Sequence, residues 1–352
     1  MPYPLGFLTM FKRKHLLHYY IGILKKLSLA KCYNFLKLFA GFHYSRLINE
    51  PRQFGLPVFV SIEPTTSCNL RCPQCPSGLR EFTRPTGMLQ NQLFEKIILQ
   101  LKKHLHSLTF YFQGEPYLNP DFLKMVAFAN RHKLYTITST NAHYLTTENA
   151  RQTVLSKLDK LIISVDGITQ EVYEQYRIGG KLDKVIEGTQ EILRQKRILK
   201  SNTPHVVWQF VVFKPNQQQI EAVKKLGKEI GVDEVKIKTA QIYDFENGHD
   251  LIPEIEAYSR YRKNPEGDFE IKNKLLNQCW RMWQGCVITW DGKIVPCCFD
   301  KDAKYKLGNL DSERFENIWY SPAYTNFRKS VLKSRKQIDI CTNCTEGTKV
   351  WS

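Results

Sequence analysis

The sequence predicts an α/β fold: a partial (β/α)6 TIM-like barrel followed by a small, cysteine-rich α+β extension. Three observations predict it. Between residues 57 and about 240, apolar β-rich runs alternate with helical patterns over six rounds, which argues for a parallel sheet with crossover helices. Six units are too few for a full eight-stranded barrel, so the barrel is open. In the last quarter, Val287–Trp290 and Lys293–Val295 flank Asp291-Gly292, a hairpin signature. The cysteines fall into two groups at short spacings, with none from 76 to 278.

The elements follow in order. Residues 1–50 read as a basic amphipathic helical region, with Leu16, Leu17, Tyr20, Ile21, Leu24, Leu27 and Leu29 near helical spacing. A helix packed on the domain is the plain reading, and a helix lying on a membrane surface is the other. A signal peptide fits poorly, because His18 interrupts a short apolar stretch and no small-residue cleavage site follows. Residues 57–240 form the barrel, with strands at Val58–Ile62, Leu108–Phe112, Tyr135–Thr138, Leu161–Val165, Val206–Phe213 and Val235–Lys238. Helical patterns cover Leu93–Leu105, Phe122–Arg131, Glu148–Leu158, Val172–Leu199 and Ile220–Ile230, the last stopped by Gly231. Residues 241–278 carry Asn247-Gly248, Pro253 and Asn264-Pro265-Glu266-Gly267 and read as a linker with a short helix. Residues 279–352 form the extension.

Composition narrows the function. Of 352 residues 42% are hydrophobic and 24% charged, which excludes a disordered chain. No run of 18 residues lacks charge, so a membrane-spanning helix is not expected. The net charge is +17, and residues 1–50 hold eight Lys or Arg against Glu50 alone, a local +7. Such a field favours anionic partners. Specific nucleic-acid binding is not expected, because the basic excess sits in the arm and is not interleaved with aromatics on a strand face. Contact with a membrane surface through residues 1–50 is the alternative. The ten cysteines do not have the spread of a secreted disulfide framework. Tight groups of thiolate ligands need a reducing compartment, which points to the cytoplasm, at its membrane face if the arm contacts lipid.

The segment Cys68-Asn69-Leu70-Arg71-Cys72-Pro73-Gln74-Cys75 leaves the first strand. Three thiolates at C-x3-C-x2-C suit one corner set of an iron–sulfur cube and leave one iron free of protein. A zinc site completed from elsewhere and a purely structural cluster are the alternatives. The second strand is followed by Gln113-Gly114-Glu115-Pro116, the third by Ser139-Thr140-Asn141-Ala142, and the fourth ends Ser164-Val165-Asp166-Gly167, with Tyr176-Arg177-Ile178-Gly179-Gly180 beyond.

Together these resemble the radical S-adenosylmethionine (SAM) enzymes. The resemblance implies that Cys68, Cys72 and Cys75 hold a [4Fe–4S] cluster whose open iron binds SAM. It implies that Gly114, Glu115 and Pro116 correspond to the family's G-G-E-P motif, which binds SAM's amino group. Thr140 and Asn141 correspond to a T-N-G motif with Ala142 in place of Gly. Ser164 and Asp166 stand at the ribose and carboxylate site, and Arg177 is a candidate for SAM's carboxylate, a surface helix arginine being its alternative. The chain ending Val212-Phe213-Lys214 is where the family packs adenine. Gln74 departs from the aromatic residue common before the third cysteine.

The second group resembles the SPASM extension of the same family: Cys279, twelve residues, Gly292, four residues, Cys297, then Cys341-Thr342-Asn343-Cys344. Thr345–Ser352 contain no further cysteine, so Cys279, Cys297, Cys341 and Cys344 suffice for one auxiliary [4Fe–4S] cluster, with Cys286 or Cys298 as substitutes. Four thiolates suit structural zinc equally by count. Cys32 reads as a buried small hydrophobe.

The resemblance implies reductive cleavage of SAM to methionine and a 5′-deoxyadenosyl radical, which removes hydrogen from a substrate. An external electron donor such as flavodoxin or ferredoxin is implied. The substrate is a peptide or protein, or a small molecule such as a sugar, lipid or nucleoside. A redox iron–sulfur protein that leaves SAM intact and a zinc-bearing adaptor stand as alternatives. Arg71, Arg80 and Arg84 are candidates to meet an anionic group, with solvated loop charge as the alternative, and Tyr111 and Gln113 are placed near the barrel mouth.

Overall fold

The computed structural model describes residues 14–346, with side chains from residue 19. Lys12, Arg13 and the last six residues, parts of the expected arm and extension, lie outside the described residues.

Two helices, α1 (Lys14–Leu24) and α2 (Leu29–Ile48), precede the sheet. Five βα rounds and a sixth strand follow: β1 (Phe59–Ile62), the single turn α3 (Pro76–Leu79), α4 (Asn91–Leu101), β2 (Ser107–Phe110), α5 (Phe122–Arg131), β3 (Tyr135–Thr140), α6 (Thr147–Leu155), β4 (Lys160–Ser164), α7 (Gln170–Tyr176), α8 (Leu182–Ile198), β5 (His205–Val212), α9 (Ile220–Ile230) and β6 (Glu234–Thr239). The expected long helix over Val172–Leu199 is two helices, because Gly179 takes a left-handed φ of 78° and Arg177 turns back toward β4. Gly231 ends α9 with φ 91°, its N–H on the Gly227 carbonyl.

Residues 241–278, expected as a linker with a short helix, hold a 3₁₀ turn (Glu256–Tyr258) and the hairpin β7 (Tyr261–Lys263) and β8 (Phe269–Ile271). The extension contributes α10 (Arg281–Gln284), β9 (Gly285–Ile288), β10 (Lys293–Val295), β11 (Gly308–Asn309), α11 (Phe315–Trp319), α12 (Pro322–Ser334) and α13 (Asp339–Thr342). The Asp291-Gly292 hairpin is present: Ile288 pairs with Ile294, and Gly292 has φ 81°.

One nine-stranded sheet runs in the order β11-β10-β9-β1-β2-β3-β4-β5-β6. Strands β9 and β1 through β6 are mutually parallel, whereas β10 and β11 run antiparallel. The fold is thus a partial TIM-like barrel, and the extension's first strand joins its sheet directly, Val60 opposite Leu108 on one side and Cys286 on the other.

Alternate strand residues explain the layers. Leu108, Phe110, Leu161, Ile163, Trp208 and Phe210 are buried against the helices, each worth roughly 1.5–3 kcal/mol of transfer free energy for a side chain of this size. The Trp208 indole donates to Thr189 Oγ1 in α8 at 3.0 Å.

The N-terminal helices close the end of the barrel opposite the site. In α2, Leu38 and Phe42 enter the core. Lys26 pairs with Asp159 and donates to the Leu134 carbonyl. The Lys31 ammonium donates to the Lys133 carbonyl at 2.7 Å, and burial pushes its pKa down to about 8. Two of the arm's basic residues are therefore spent inward. Cys32, expected to be buried, is exposed, because it lies on the outer side of α2. Among the described residues no helix is long and apolar enough to cross a membrane.

Candidate active site

The loop after β1 brings Cys68, Cys72 and Cys75 together, each sulfur within the electrostatic reach of the others. The loop is fixed from several sides. The Arg71 N–H donates to the Ile178 carbonyl at 3.0 Å, tying it to the α7–α8 turn. The Glu115 N–H donates to the Ser67 carbonyl at 2.7 Å, tying it to the turn after β2. Gly114 has φ +73°, and a Cβ there would sit 2.3 Å from the Thr65 carbonyl oxygen, so this crossing admits only glycine. Gly114 N–H donates to Ser77 Oγ at 2.9 Å, while Gln113 Oε1 stands 3.8 Å from Cys75 Sγ.

Pro116 opens a 3₁₀ turn capped by Glu115. The Glu115 carboxylate accepts from Thr140 Oγ1–H at 2.7 Å, from Asn141 N–H at 2.8 Å and from Tyr117 N–H at 3.3 Å. Burial dominates these donors and raises its pKa to about 7. A carboxylate offers four lone-pair positions, so three donors leave room for another. Asn141 Nδ2 donates to Asn69 Oδ1 at 2.8 Å and lies 3.9 Å from Cys68 Sγ. Ala142 adopts the left-handed φ of 68° that the expected glycine would prefer.

At the end of β4, Ser164 is buried and its hydroxyl makes no hydrogen bond among the described residues. Asp166 is buried and paired with Arg177, its Oδ2 2.6 Å from both Nε and Nη2. Its Oδ1 accepts from Val211 N–H at 2.7 Å. The carboxylate is thereby occupied, and the Arg177 guanidinium points onward with Nη1 3.8 Å from Cys72 Sγ. Tyr176 and Phe213 stack at 3.9 Å between ring centroids beside the same loop. Gln74 reaches the segment after β6: its Oε1 accepts from Tyr243 N–H at 2.8 Å, and its Nε2 lies 3.2 Å from His249 Nε2.

The second group surrounds one enclosed cavity lined by Cys279, Cys297, Cys341 and Cys344, with Arg281, Met282, Phe299, Phe327, Val331, Arg335 and Ile340. Arg335, fully buried, donates from Nη2 to Cys344 Sγ at 3.1 Å. Burial pushes the Cys344 thiol up to about 12 and raises Cys341 and Cys297 as well. Burial thus disfavours bare thiolates at Cys297, Cys341 and Cys344, a cost that a bound, thiolate-ligated metal centre offsets. The first group shows the same fit, with burial pushing Cys68 up to about 11. Cys286 faces Tyr324 and Arg328 and does not line the cavity, whereas Cys298 faces Arg281 and Lys301.

Arg84, read as a loop charge or an anion contact, is neither. It is buried, and its Nη1 and Nη2 grip Glu63 at 2.9 and 2.6 Å. Glu63 also accepts from Trp290 N–H at 3.2 Å, joining the top of β1 to the extension. Arg80 is exposed and donates to the Cys68 carbonyl, and Arg71 is exposed. Glu63, Tyr243 and Arg335 were missed in the sequence, and Gln74 was marked there only as a departure from the family's aromatic residue. Only Glu63 carried a signal, an acid at a strand end.

Three thiols in the loop after β1, beside an acidic turn and an anchored arginine, are the donor set of an iron–sulfur cofactor site. Residues 62–206 match the radical SAM superfamily model, and residues 279–345 match the model of an iron–sulfur cluster-binding domain, SPASM. The chain belongs to the radical SAM superfamily and carries a C-terminal SPASM domain. It is an enzyme. Its first domain implies a [4Fe–4S] cluster with SAM, and its second implies auxiliary iron–sulfur. It is 25% identical over 316 residues, 81% of this chain and 86% of the relative, to a tungsten-containing aldehyde ferredoxin oxidoreductase cofactor-modifying protein of Pyrococcus furiosus. Its fold is similar to that of SuiB from Streptococcus suis bound to precursor peptide SuiA, with TM-score 0.61 and 16% identity over 88% of this chain and 74% of that one. It is also similar to BtrN in complex with AdoMet and 2-DOIA, with TM-score 0.51 and 18% identity over 84% of this chain and 95% of that one.

Proposed function

We propose that this chain cleaves SAM reductively and removes a hydrogen atom from a bound peptide or protein. The observation that carries the reading is the convergence of Cys68, Cys72 and Cys75 with Glu115, Asn141 and Arg177 at the C-terminal ends of β1 to β4. That is where barrel folds of this kind place their chemistry.

Cys68, Cys72 and Cys75 would hold the [4Fe–4S] cluster. The cluster and SAM together supply a 5′-deoxyadenosyl radical when reduced. Glu115, held by Thr140 and Asn141, accepts from the SAM ammonium alongside backbone carbonyls at Gly114, and Pro116 fixes the turn that presents it. Arg177, aimed by Asp166, offers its planar fork to the SAM carboxylate. The unengaged Ser164 hydroxyl serves the ribose. Phe213 on Tyr176 forms an apolar wall for adenine, while Gln74 anchors the segment at Tyr243. Cys279, Cys297, Cys341 and Cys344 would hold the auxiliary [4Fe–4S] cluster, which would supply a site for substrate or for an electron. An external donor of the flavodoxin or ferredoxin type supplies reducing equivalents.

A small-molecule substrate is the second reading, favoured by the Pyrococcus relative, which is named for modifying a cofactor. The peptide reading draws on SuiB, solved with a peptide bound. Anaerobic, reconstituted protein given dithionite and SAM should form 5′-deoxyadenosine. Intact SAM alongside a formed brown chromophore would instead favour an iron–sulfur redox protein.

The α2 outer face supports contact with an anionic membrane surface at the cytoplasmic side. Leu29, Tyr33, Leu36, Tyr44 and Leu47 are 90, 66, 64, 46 and 82% exposed. They form a stripe about 27 Å long at 1.5 Å per residue, flanked by Lys25, Lys37 and Arg46. Replacing Leu29, Leu36 and Leu47 with Ser should lower sedimentation with phosphatidylserine vesicles severalfold, and unchanged sedimentation would remove this contact.

A further inference from the structure

The concave inner face of the sheet carries groups that SAM cleavage leaves unused. Parallel register sets Ser164 beside Gln209, Gln209 beside Lys236 and Val211 beside Lys238. Paired residues of neighbouring parallel strands share a face, so Lys236 and Lys238 look into the same lumen as Ser164. From the other side, Arg260, Arg281 and Lys301 reach this space. Lys238, Arg260 and Arg281 all sense Glu346, while Arg260, Arg281 and Lys301 all sense Cys298. Lys301 and Tyr243 also lie in the field of Cys75. Lys301, in the field of both Cys75 and Cys298, therefore stands between the two cysteine groups, with Arg260 beside it and Lys238 beside Arg260. Tyr111 keeps 38% of its surface exposed, yet burial pushes its phenol up to about 12, as befits a wall of a deep concavity.

The charges are not balanced. Glu346 is the carboxylate that Lys238, Arg260 and Arg281 share, and it is held by Arg281 Nη2 at 2.7 Å. Lys238 makes no ion pair or hydrogen bond among the described residues. Lys301 Nζ donates to the neutral Tyr243 hydroxyl at 2.5 Å. Arg260 Nη1 reaches only the Asn343 carbonyl at 3.3 Å, and its Nε is buried with no acceptor. An orphaned buried donor costs about 1–3 kcal/mol. Neutralising the cysteine cavity is not their task, because Arg335 already bonds Cys344 Sγ, and neither Lys238 nor Lys301 hydrogen-bonds a sulfur.

We propose that Lys238, Arg260 and Lys301 form the subsite for an anionic group of the substrate, a carboxylate or a phosphate, held between the two cysteine groups. The proposal rests on the SAM-cleaving reading and names the substrate class for that site. Arg260 supplies a fork with a free Nε–H, and the lysines supply point charges.

Reconstituted full-length protein is titrated calorimetrically with inorganic phosphate in one arm and with succinate in the other. SAM cleavage by the same wild-type preparation is measured without either anion. One binding site per chain is expected for at least one anion, with affinity falling tenfold or more in Lys238→Met and in Arg260→Met. Binding of phosphate alone assigns a phosphate group, binding of succinate alone a carboxylate, and binding of both a site read by charge. Lys238 lies exposed on the edge strand, so its substitution leaves the core intact and is the decisive variant. Protein that cleaves SAM but binds neither anion, or whose binding survives Lys238→Met unchanged, overturns the subsite and leaves SAM cleavage standing. Failure to cleave SAM overturns the reading beneath it.

Discussion

Glu115 shows how one residue's environment sets its chemistry. Its folded pKa is raised from 4.5 to about 7, chiefly by burial. The folded chain thus binds a proton that the unfolded chain has lost between those values, so this group's contribution to stability declines as pH rises from about 4.5 to 7 and then levels. An incoming ammonium favours the carboxylate. SAM binding near pH 7 should therefore release a proton, and affinity should fall as pH drops from 8 to 6. Calorimetry in two buffers of different ionisation enthalpy measures this, and Glu115→Gln should flatten the profile. Cys72→Ala should abolish 5′-deoxyadenosine formation and remove about four irons per chain; persisting cleavage would displace the cluster from this loop. Ala142 is a smaller case. Its left-handed φ costs roughly 1–2 kcal/mol, against about 0.8 for its buried methyl. Ala142→Gly should change stability by no more than about 1 kcal/mol in thermal unfolding.

Between elements, the Glu63–Arg84 pair ties β1 to the loop before α4, and Glu63 also takes the Trp290 N–H of the extension's hairpin. Both partners are buried, so Arg84→Met leaves a lone carboxylate in the core and should cost about 3–5 kcal/mol in urea unfolding. The double variant Glu63→Gln/Arg84→Met should recover much of that loss, since the uncompensated charge is gone. Helices with their own amphipathic face were legible: Phe122–Arg131 and Ile220–Ile230 were read at their observed limits. The break at Gly179 was not placed, because Arg177 is drawn to Asp166 by a contact made only after β4 and α7 meet. Cys341→Ala should impair substrate conversion more than SAM cleavage, measured side by side; equal loss of both would make the second cysteine group a folding element.

Across the whole molecule, β9 pairs with β1, so the extension and the barrel share one sheet and one hydrophobic core. A fragment ending at residue 278 leaves that edge of β1 unpaired and the Cys279, Trp280 and Trp283 packing missing. It should bind a hydrophobic dye and lack the cooperative thermal transition of the full chain.

Alone, the sequence determined the strand–helix alternation, the spacing of both cysteine groups and the motifs at the strand ends, because each is written within a few residues by periodicity or local chemistry. Only the tertiary structure decided that β9 sits beside β1, that Arg84 is buried on Glu63, and that Arg260 comes near both Lys238 and Lys301. Those are partnerships between residues some 20 to 220 positions apart. They arise from register and burial, which no local pattern encodes.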